Sequence, residues 1–328
     1  GLILRLFDEL SDERPDIQTI YLDVFASRNL DDFIKMMAEA AMKTFPQKST
    51  IGEKLMAFIK ALRPQFSFDP ITGEPQLQIS YQTTHEKEYT LRGLFEFLDS
   101  QNTPIVMAID EFQQIREYPE QNMEALLRTY IQQTKNITFI FCGSKKHLMT
   151  DMFTNAKKPF YESSRTVYID RIDSEKYGLF IKKLFKKAGK VIDDEAVEFI
   201  LEWTKRHTYY TQFVCNRVFA ESSNKITLDT AKRVVTSILR IEAANFIERR
   251  NLITDRQWRY LIAVAKEGSI SQPTASAFLM KYNIGNSASA LKLLTALVEK
   301  ELLLEQSDLN GKAYSVYNVF MSRWMESL

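Results

Sequence analysis

The sequence predicts an α/β core built on a parallel sheet, followed by a helical subdomain and a winged helix-turn-helix. Three features carry that expectation. From residue 1 to about 170, helix-period segments alternate with short apolar runs, the pattern of a parallel sheet covered by helices. After Ile172 the strand signals stop and helical patterns follow one another. From Leu252 onward, three helical patterns precede two alternating runs around a turn at Asp308 to Gly311, which is the winged-helix plan. The implied domains are 1–171, 172–250 and 251–328.

The chain opens in a helix-like stretch carrying Leu2, Ile3, Leu4, Leu6, Phe7 and Leu10. Strands are expected at Thr19 to Val24, Ile105 to Asp110, Ile137 to Cys142 and Thr166 to Ile169, each rich in Ile, Val or aromatic residues. The second and third are apolar along their length, which predicts burial on both faces in the middle of the sheet. Leu30 to Thr44 reads as a covering helix with Asn29 at its N-cap. Gln121 to Thr134 reads as another, with Met123, Leu126, Leu127, Tyr130 and Ile131 on one face. Arg63 to Tyr89 breaks this rhythm with Pro64, Pro70, Gly73 and Pro75, and reads as a hairpin-like insertion. Helices then follow at Ser174 to Gly189, Asp193 to Lys205, Tyr209 to Ser222 and Leu228 to Arg250. The last domain is expected to hold helices at Thr254 to Lys266, Gln272 to Lys281 and Ser287 to Lys300, with Phe320, Trp324 and Met325 packing back as core.

The 328 residues are 45% hydrophobic and 26% charged, which supports two or three packed domains and excludes a disordered chain. No apolar run approaches the roughly eighteen residues that span a bilayer. Gly1 to Leu10 lacks the basic start and cleavage site of a signal peptide, so a soluble, cytoplasmic protein without membrane contact is expected. Lys and Arg total 43 against 42 Asp and Glu, so no global field marks a nucleic-acid coat. Cys142 and Cys215 have no CxxC or Cys/His spacing, which fits a reducing compartment and argues against zinc. His85, His147 and His207 lack ligand-spaced partners, and no Ser/His/Asp order stands out.

The most specific local signal is Ile105-Val-Met-Ala-Ile-Asp110-Glu111, an apolar strand ending in adjacent carboxylates and followed by Phe112-Gln113-Gln114. An Asp at the carboxyl end of a buried parallel strand stands where open α/β sheets bind ligands. In a nucleotide hydrolase that Asp holds magnesium through water, and the next Glu orients and deprotonates the attacking water. The plain alternative is a strand that ends in two solvated acids. The following strand ends in Gly143-Ser144, which sets a small polar residue beside the acidic pair, where it can bond the attacking water or a γ-phosphate.

Together these features resemble the prokaryotic AAA+ P-loop ATPases of the archaeal-ATPase and STAND-like type. The likeness rests on Gly1-Leu-Ile-Leu-Arg-Leu-Phe7, Ile20-Tyr-Leu-Asp23, the Walker-B-like Ile109-Asp-Glu-Phe-Gln113, Gly143-Ser144, Arg165 before Thr166-Val-Tyr-Ile169, Arg206-His-Thr-Tyr-Tyr210 and the C-terminal winged helix. It covers nearly the whole chain. It implies a P-loop NTPase-like sheet of order 5-1-4-3-2, a helical lid and a winged helix, with ATP and Mg2+ as cofactors. It also implies Asp110 on magnesium through water, Glu111 on the attacking water, Ser144 as γ-phosphate sensor and Arg165 as an arginine finger. His207 falls where relatives carry a Gly-x-Pro turn contacting nucleotide, but Thr208 replaces the Pro.

The phosphate-cradling GxxxxGK[ST] does not occur in residues 1–328. In such families a segment like Gly1-Leu-Ile-Leu-Arg-Leu6 comes directly after the Lys-Ser/Thr pair, so the cradle and its strand are expected immediately before residue 1. The chain as written is then expected to bind nucleotide poorly or not at all. Gly1 in place of Met reads as a removed upstream segment or a residue left by cloning.

Two functions are expected: an ATPase coupling nucleotide state to rearrangement of a partner protein or DNA, or a non-catalytic adaptor or DNA-binding regulator that keeps the fold without the phosphate loop. Candidate partners are DNA through the winged helix, a protein, and further copies of the chain. Lys176, Lys182, Lys183, Lys186, Lys187 and Lys190 form the densest basic stretch, read either as a phosphate-backbone contact or as a solvated lid face. The recognition segment Ser287 to Lys300 carries only Lys292 and Lys300 as bases, which is weak for reading base edges.

Overall fold

The computed structural model describes residues 1–45, 49–61, 65–68, 75–78, 83–167, 169, 171–221, 224–308 and 311–328. The chain divides into two compact units, Gly1–Val167 and Tyr168–Leu328.

In the first unit, α1 (Leu2–Glu13) leads to β1 (Gln18–Asp23), α2 (Leu30–Thr44) and α3 (Thr50–Ala61). An antiparallel hairpin, β2 (Gln65–Phe68) and β3 (Pro75–Gln78), precedes α4 (Thr84–Asp99) and β4 (Ile105–Asp110). A 3₁₀ turn (Phe112–Glu117), α5 (Met123–Gln133), β5 (Ile137–Phe141) and α6 (Lys146–Thr154) complete it. The sheet is parallel in the order β1-β4-β5, in register from Gln18 against Ile105 to Asp23 against Asp110, and from Ile105 against Ile137 to Ile109 against Phe141. That adjacency agrees with the part of the implied order that these strands occupy.

α2 forms where expected because its apolar residues recur at helical spacing and its start is capped. Leu30, Phe33, Ile34, Met37, Ala38 and Ala41 are buried, and the Asn29 side chain accepts from the Asp32 amide at 2.9 Å. Each large side chain so buried contributes about 1.5–3 kcal/mol, and Asn29→Ala would remove a cap worth about 1 kcal/mol.

β4 buries Ile105, Met107, Ala108 and Ile109, as its apolar run predicts, with Val106 and Asp110 half-buried. β5 departs from expectation: Ile137 is buried, but Thr138 is exposed and the remaining residues are half-buried, because β5 is the edge of the described sheet rather than its centre. The strand expected at Thr166 to Ile169 is also corrected. Thr166, Val167 and Ile169 lie in no strand, and Val167 and Ile169 are each 75% exposed, so they have no described neighbour to bond. Tyr168 lies outside the described residues, as does most of the insertion beyond its hairpin. The insertion is shorter than expected, since α4 begins at Thr84 with Thr83 capping Glu86. The sequence pattern does not anticipate α3, α4 and α6.

The second unit runs through α7 (Ser174–Lys187), β6 (Val191–Ile192), α8 (Asp194–Trp203), α9 (Thr208–Phe219), β7 (Lys225–Ile226) and α10 (Leu228–Arg250). It continues through α11 (Asp255–Glu267), α12 (Ser276–Lys281), α13 (Ser287–Glu299), the antiparallel wing β8 (Leu303–Asp308) and β9 (Gly311–Val316), and α14 (Val319–Glu326). Two short parallel strands, β6 and β7, interrupt a segment whose sequence suggests only helices. One hydrophobic core joins the helical segment to the winged helix. Phe320 of α14 packs 5.6 Å from Trp203 and 4.7 Å from Tyr210, centroid to centroid. Phe320 and Met325 are buried, as expected of a returning helix. No described helix is long and apolar enough to cross a membrane.

Candidate active site

The carboxyl ends of the three parallel strands converge on Asp110 and Glu111. The ladder continues past the strands on both sides: the Val24 amide donates to the Asp110 carbonyl at 3.1 Å, and the Phe112 amide donates to the Cys142 carbonyl at 2.9 Å. The acidic pair is thereby pinned between the segments that follow β1 and β5.

Asp110 is half-buried and its two oxygens are separately held. Oδ2 accepts from the Tyr21 hydroxyl at 2.6 Å, and Oδ1 accepts from the Glu111 amide at 3.0 Å. Tyr21 pairs with Ala108 in the ladder, so Asp110, two residues on, shares its face of the sheet. Burial first, and then the bond to Asp110, push the Tyr21 hydroxyl well above its usual range, so it stays a neutral donor.

Glu111 breaks the strand by adopting a left-handed conformation, φ 55°, which costs a non-glycine residue about 1–2 kcal/mol. Strain of this kind concentrates at functional sites. The turn after it is anchored by Phe112, which is fully buried 4.6 Å from Phe141 and edge-on to Phe160 at 5.3 Å. The Glu111 carboxylate thus lies over the end of β5, where Oε2 accepts from Ser144 Oγ at 2.8 Å and from Gln113 Nε2 at 2.5 Å. The Ser144 amide approaches the same oxygen at 3.4 Å. Burial, with the nearby Asp110 and Glu111 charges, pushes the Cys142 thiol up to about 11.

Asp110, Glu111 and Ser144 therefore come together as the sequence predicts. Arg165 does not join them: it is exposed, with no hydrogen bond or ion pair to another described residue. His207 lies in the second unit at the N-terminus of α9. Burial, then Arg171, hold its pKa below the usual imidazole value, and its Nδ1 is buried without a partner among the described residues. The lysine-rich stretch forms α7, which buries Tyr177, Gly178, Ile181 and Phe185 and turns most of its lysines to solvent. Lys182 pairs with Asp194, and Lys190 donates to the Phe219 carbonyl. Sequence reasoning missed Tyr21 and Gln113. Gln113 stands two residues beyond Glu111, whereas nothing local to Tyr21 signals a partner 89 positions away.

Among the described residues no group of three or more His, Cys, Asp or Glu side chains could hold a metal ion directly. One carboxylate with free lone pairs at a strand end instead suits an ion that keeps most of its waters, as magnesium does.

Residues 244–327 match the family model described as "probable winged helix domain". None of the curated proteins compared matches the sequence. Among solved structures, the chain is similar to the Walker-type ATPase PABY2304 of Pyrococcus abyssi, at 17% identity and a TM-score of 0.59 over 96% of this chain and 85% of that one. It is also similar to the ORC2 protein of Aeropyrum pernix, solved in ADPNP–ADP complexes, at 12% identity and a TM-score of 0.52 over 99% and 82%. The chain has the fold of AAA+ ATPases of the archaeal origin-recognition type, with a winged helix at its C-terminus.

Proposed function

We propose that this chain is part of an ATP-binding and ATP-hydrolysing AAA+ ATPase that couples nucleotide state to rearrangement of a partner protein or DNA. The observation that carries the reading is the bond between Glu111 and Ser144, which joins the ends of adjacent parallel strands over an acidic strand terminus. Asp110, fixed by Tyr21 and the Glu111 amide, would hold a magnesium ion through water. Glu111 has one oxygen occupied by Ser144 and Gln113, and its other oxygen takes the proton of the attacking water. Ser144 is the γ-phosphate sensor. Arg165, exposed after α6, is assigned the arginine-finger role, in its own or a neighbouring subunit, on the resemblance alone. The bound ion supplies charge neutralisation for the phosphates. Residues 1–171 act as ATPase core, 172–250 as lid and 251–328 as the winged helix that meets the partner.

Glu111→Gln in the full-length protein tests the roles. Turnover should be abolished while ATP binding is spared, and equal loss of both refutes the assignment of Glu111 as the base.

A second reading is a non-catalytic adaptor or DNA-binding regulator that keeps the fold without the phosphate loop. ATPase activity of the chain as written excludes it. The outer face of α13 presents Ala288, Leu291, Lys292 and Thr295, a surface better suited to a protein than to base edges. A steep fall in DNA affinity with added salt, mapping to Lys292, decides for DNA.

A further inference from the structure

Gln113 is 4% exposed, yet its side chain makes a single hydrogen bond among the described residues, from Nε2 to Glu111 Oε2. Its Oε1 is buried with no hydrogen-bond partner among the described residues. A Leu or Met of similar volume would fill the same space without stranding an oxygen, so stability alone does not account for an amide here. The site is also shaped around it. A Cβ on Gly143 would stand 2.1 Å from Gln113 Oε1 and 2.8 Å from Met149 Cγ, so only glycine lets the amide lie under the turn that carries Ser144. Gln113 follows Glu111 in a turn whose neighbour Phe112 is locked in an aromatic cluster, which leaves the amide little freedom to leave the carboxylate.

We infer that Gln113 is a positioning residue for Glu111: its amide and Ser144 together hold Oε2, turning Oε1 outward as the oxygen that receives the proton. The inference rests on the proposed role of Glu111 as the water-activating base. A carboxylate held by two donors from different segments has one orientation instead of a fan of rotamers. A base must keep its accepting oxygen within hydrogen-bond reach of the proton it takes. The remaining buried oxygen is the cost of placing a donor there.

The test uses the full-length protein with Gln113→Met, Gln113→Leu and Gly143→Ala, the last displacing the amide from the opposite side. The first readout needs no nucleotide. With selective 15N-glutamine labelling, the Gln113 amide resonance, assigned by its loss in Gln113→Met, should move on Glu111→Ala. A double-mutant cycle between Gln113 and Glu111 should show about tenfold coupling in the unfolding constant. The second readout is turnover: Gln113→Met should lower kcat about tenfold with KM for ATP changed less than about twofold. Gln113→Glu, which keeps the shape but replaces the donor by an acceptor, should not rescue it. An amide resonance indifferent to Glu111, or coupling near zero, overturns the inference whether or not the protein hydrolyses ATP. Wild-type turnover that is lost in Glu111→Gln but unchanged in Gln113→Met and Gly143→Ala also overturns it. Absence of turnover in the wild type refutes the ATPase reading, and the resonance and the cycle then still decide whether Gln113 holds the carboxylate.

Discussion

Adding one methyl group should have opposite effects at Gly143 and Gly178, although both are glycines without a left-handed backbone. At Gly143 the new Cβ would lie 2.1 Å from Gln113 Oε1 and 2.8 Å from both Met149 Cγ and Sδ. Gln113 is buried and has no solvent into which to swing. Overpacking costs about 1–3 kcal/mol, and losing the charge-assisted bond to Glu111 costs about 1.5–3 kcal/mol. The reduced freedom of the unfolded chain returns about 0.4–1 kcal/mol, leaving a net loss of about 2–5 kcal/mol. At Gly178, inside α7, the Cβ would meet Val197 Cγ1 at 3.4 Å and Leu201 Cδ1 at 3.9 Å, ordinary contact distances. There the helix gains about 0.5–1 kcal/mol. The probes differ because Trp203, Trp258 and Trp324 all belong to the second unit and none to the first. Urea unfolding followed by Trp fluorescence reads Gly178→Ala, and hydrogen exchange of the β4 and β5 amides reads Gly143→Ala. A Gly143→Ala protein within about 0.5 kcal/mol of wild type would refute the packing argument.

Three further outcomes are expected. Phe160, 1% exposed and 5.3–5.7 Å from Phe112, Phe153 and Phe141, should cost about 3–5 kcal/mol when changed to Ala, read by far-UV circular dichroism in urea, and a loss below about 1 kcal/mol would contradict its place in the cluster. Burial pushes Cys142 up to about 11 and Cys215 to about 12, so iodoacetamide at pH 8 should alkylate the native protein at least about a hundredfold more slowly than free cysteine, and a rate within about tenfold would oppose it. His207 has a folded pKa below its unfolded value near 6.5, so the unfolded chain binds the extra proton first. Stability contributed by neutral His207 is full above that value and falls as pH drops through it toward the depressed folded value; His207→Gln should flatten this part of a urea-midpoint profile.

Where local chemistry decides structure, the sequence can be read to the residue. α2 and α10 begin and end where their patterns do, because Asn29 and Thr227 cap them and the apolar spacing holds one face in the core. β4 is equally legible, being an apolar run closed by acids. The failures share a cause: each depends on a partner that no local pattern encodes. β5 reads like a central strand, and only the neighbouring strands determine that it lies at the edge of the described sheet. Thr166 to Ile169 has strand composition without a described strand to pair with. The same division holds in the site. Asp110, Glu111 and Ser144 follow from two strand ends in order, whereas Tyr21 acts across 89 positions and Gln113 acts through a turn in which Glu111 has positive φ.

This also explains why so few residues can define the site. Each strand contributes its groups at one level of a parallel ladder, with Asp23 opposite Asp110 and Ile109 opposite Phe141. A slip of one residue would carry a side chain about 3.3 Å along the strand and turn it to the other face. Tyr21 could then no longer reach Asp110, and Ser144 could no longer reach Glu111. The hydrophobic cores of β1 and β4, with Ile20, Leu22, Met107 and Ile109 all at most 2% exposed, forbid that slip, since it would turn these side chains out of the core. The apolar residues therefore set the distances between the polar ones. A core substitution such as Ile109→Ala should disturb the Tyr21–Asp110 and Ser144–Glu111 bonds together, whereas Ser144→Ala should leave the Tyr21–Asp110 bond in place.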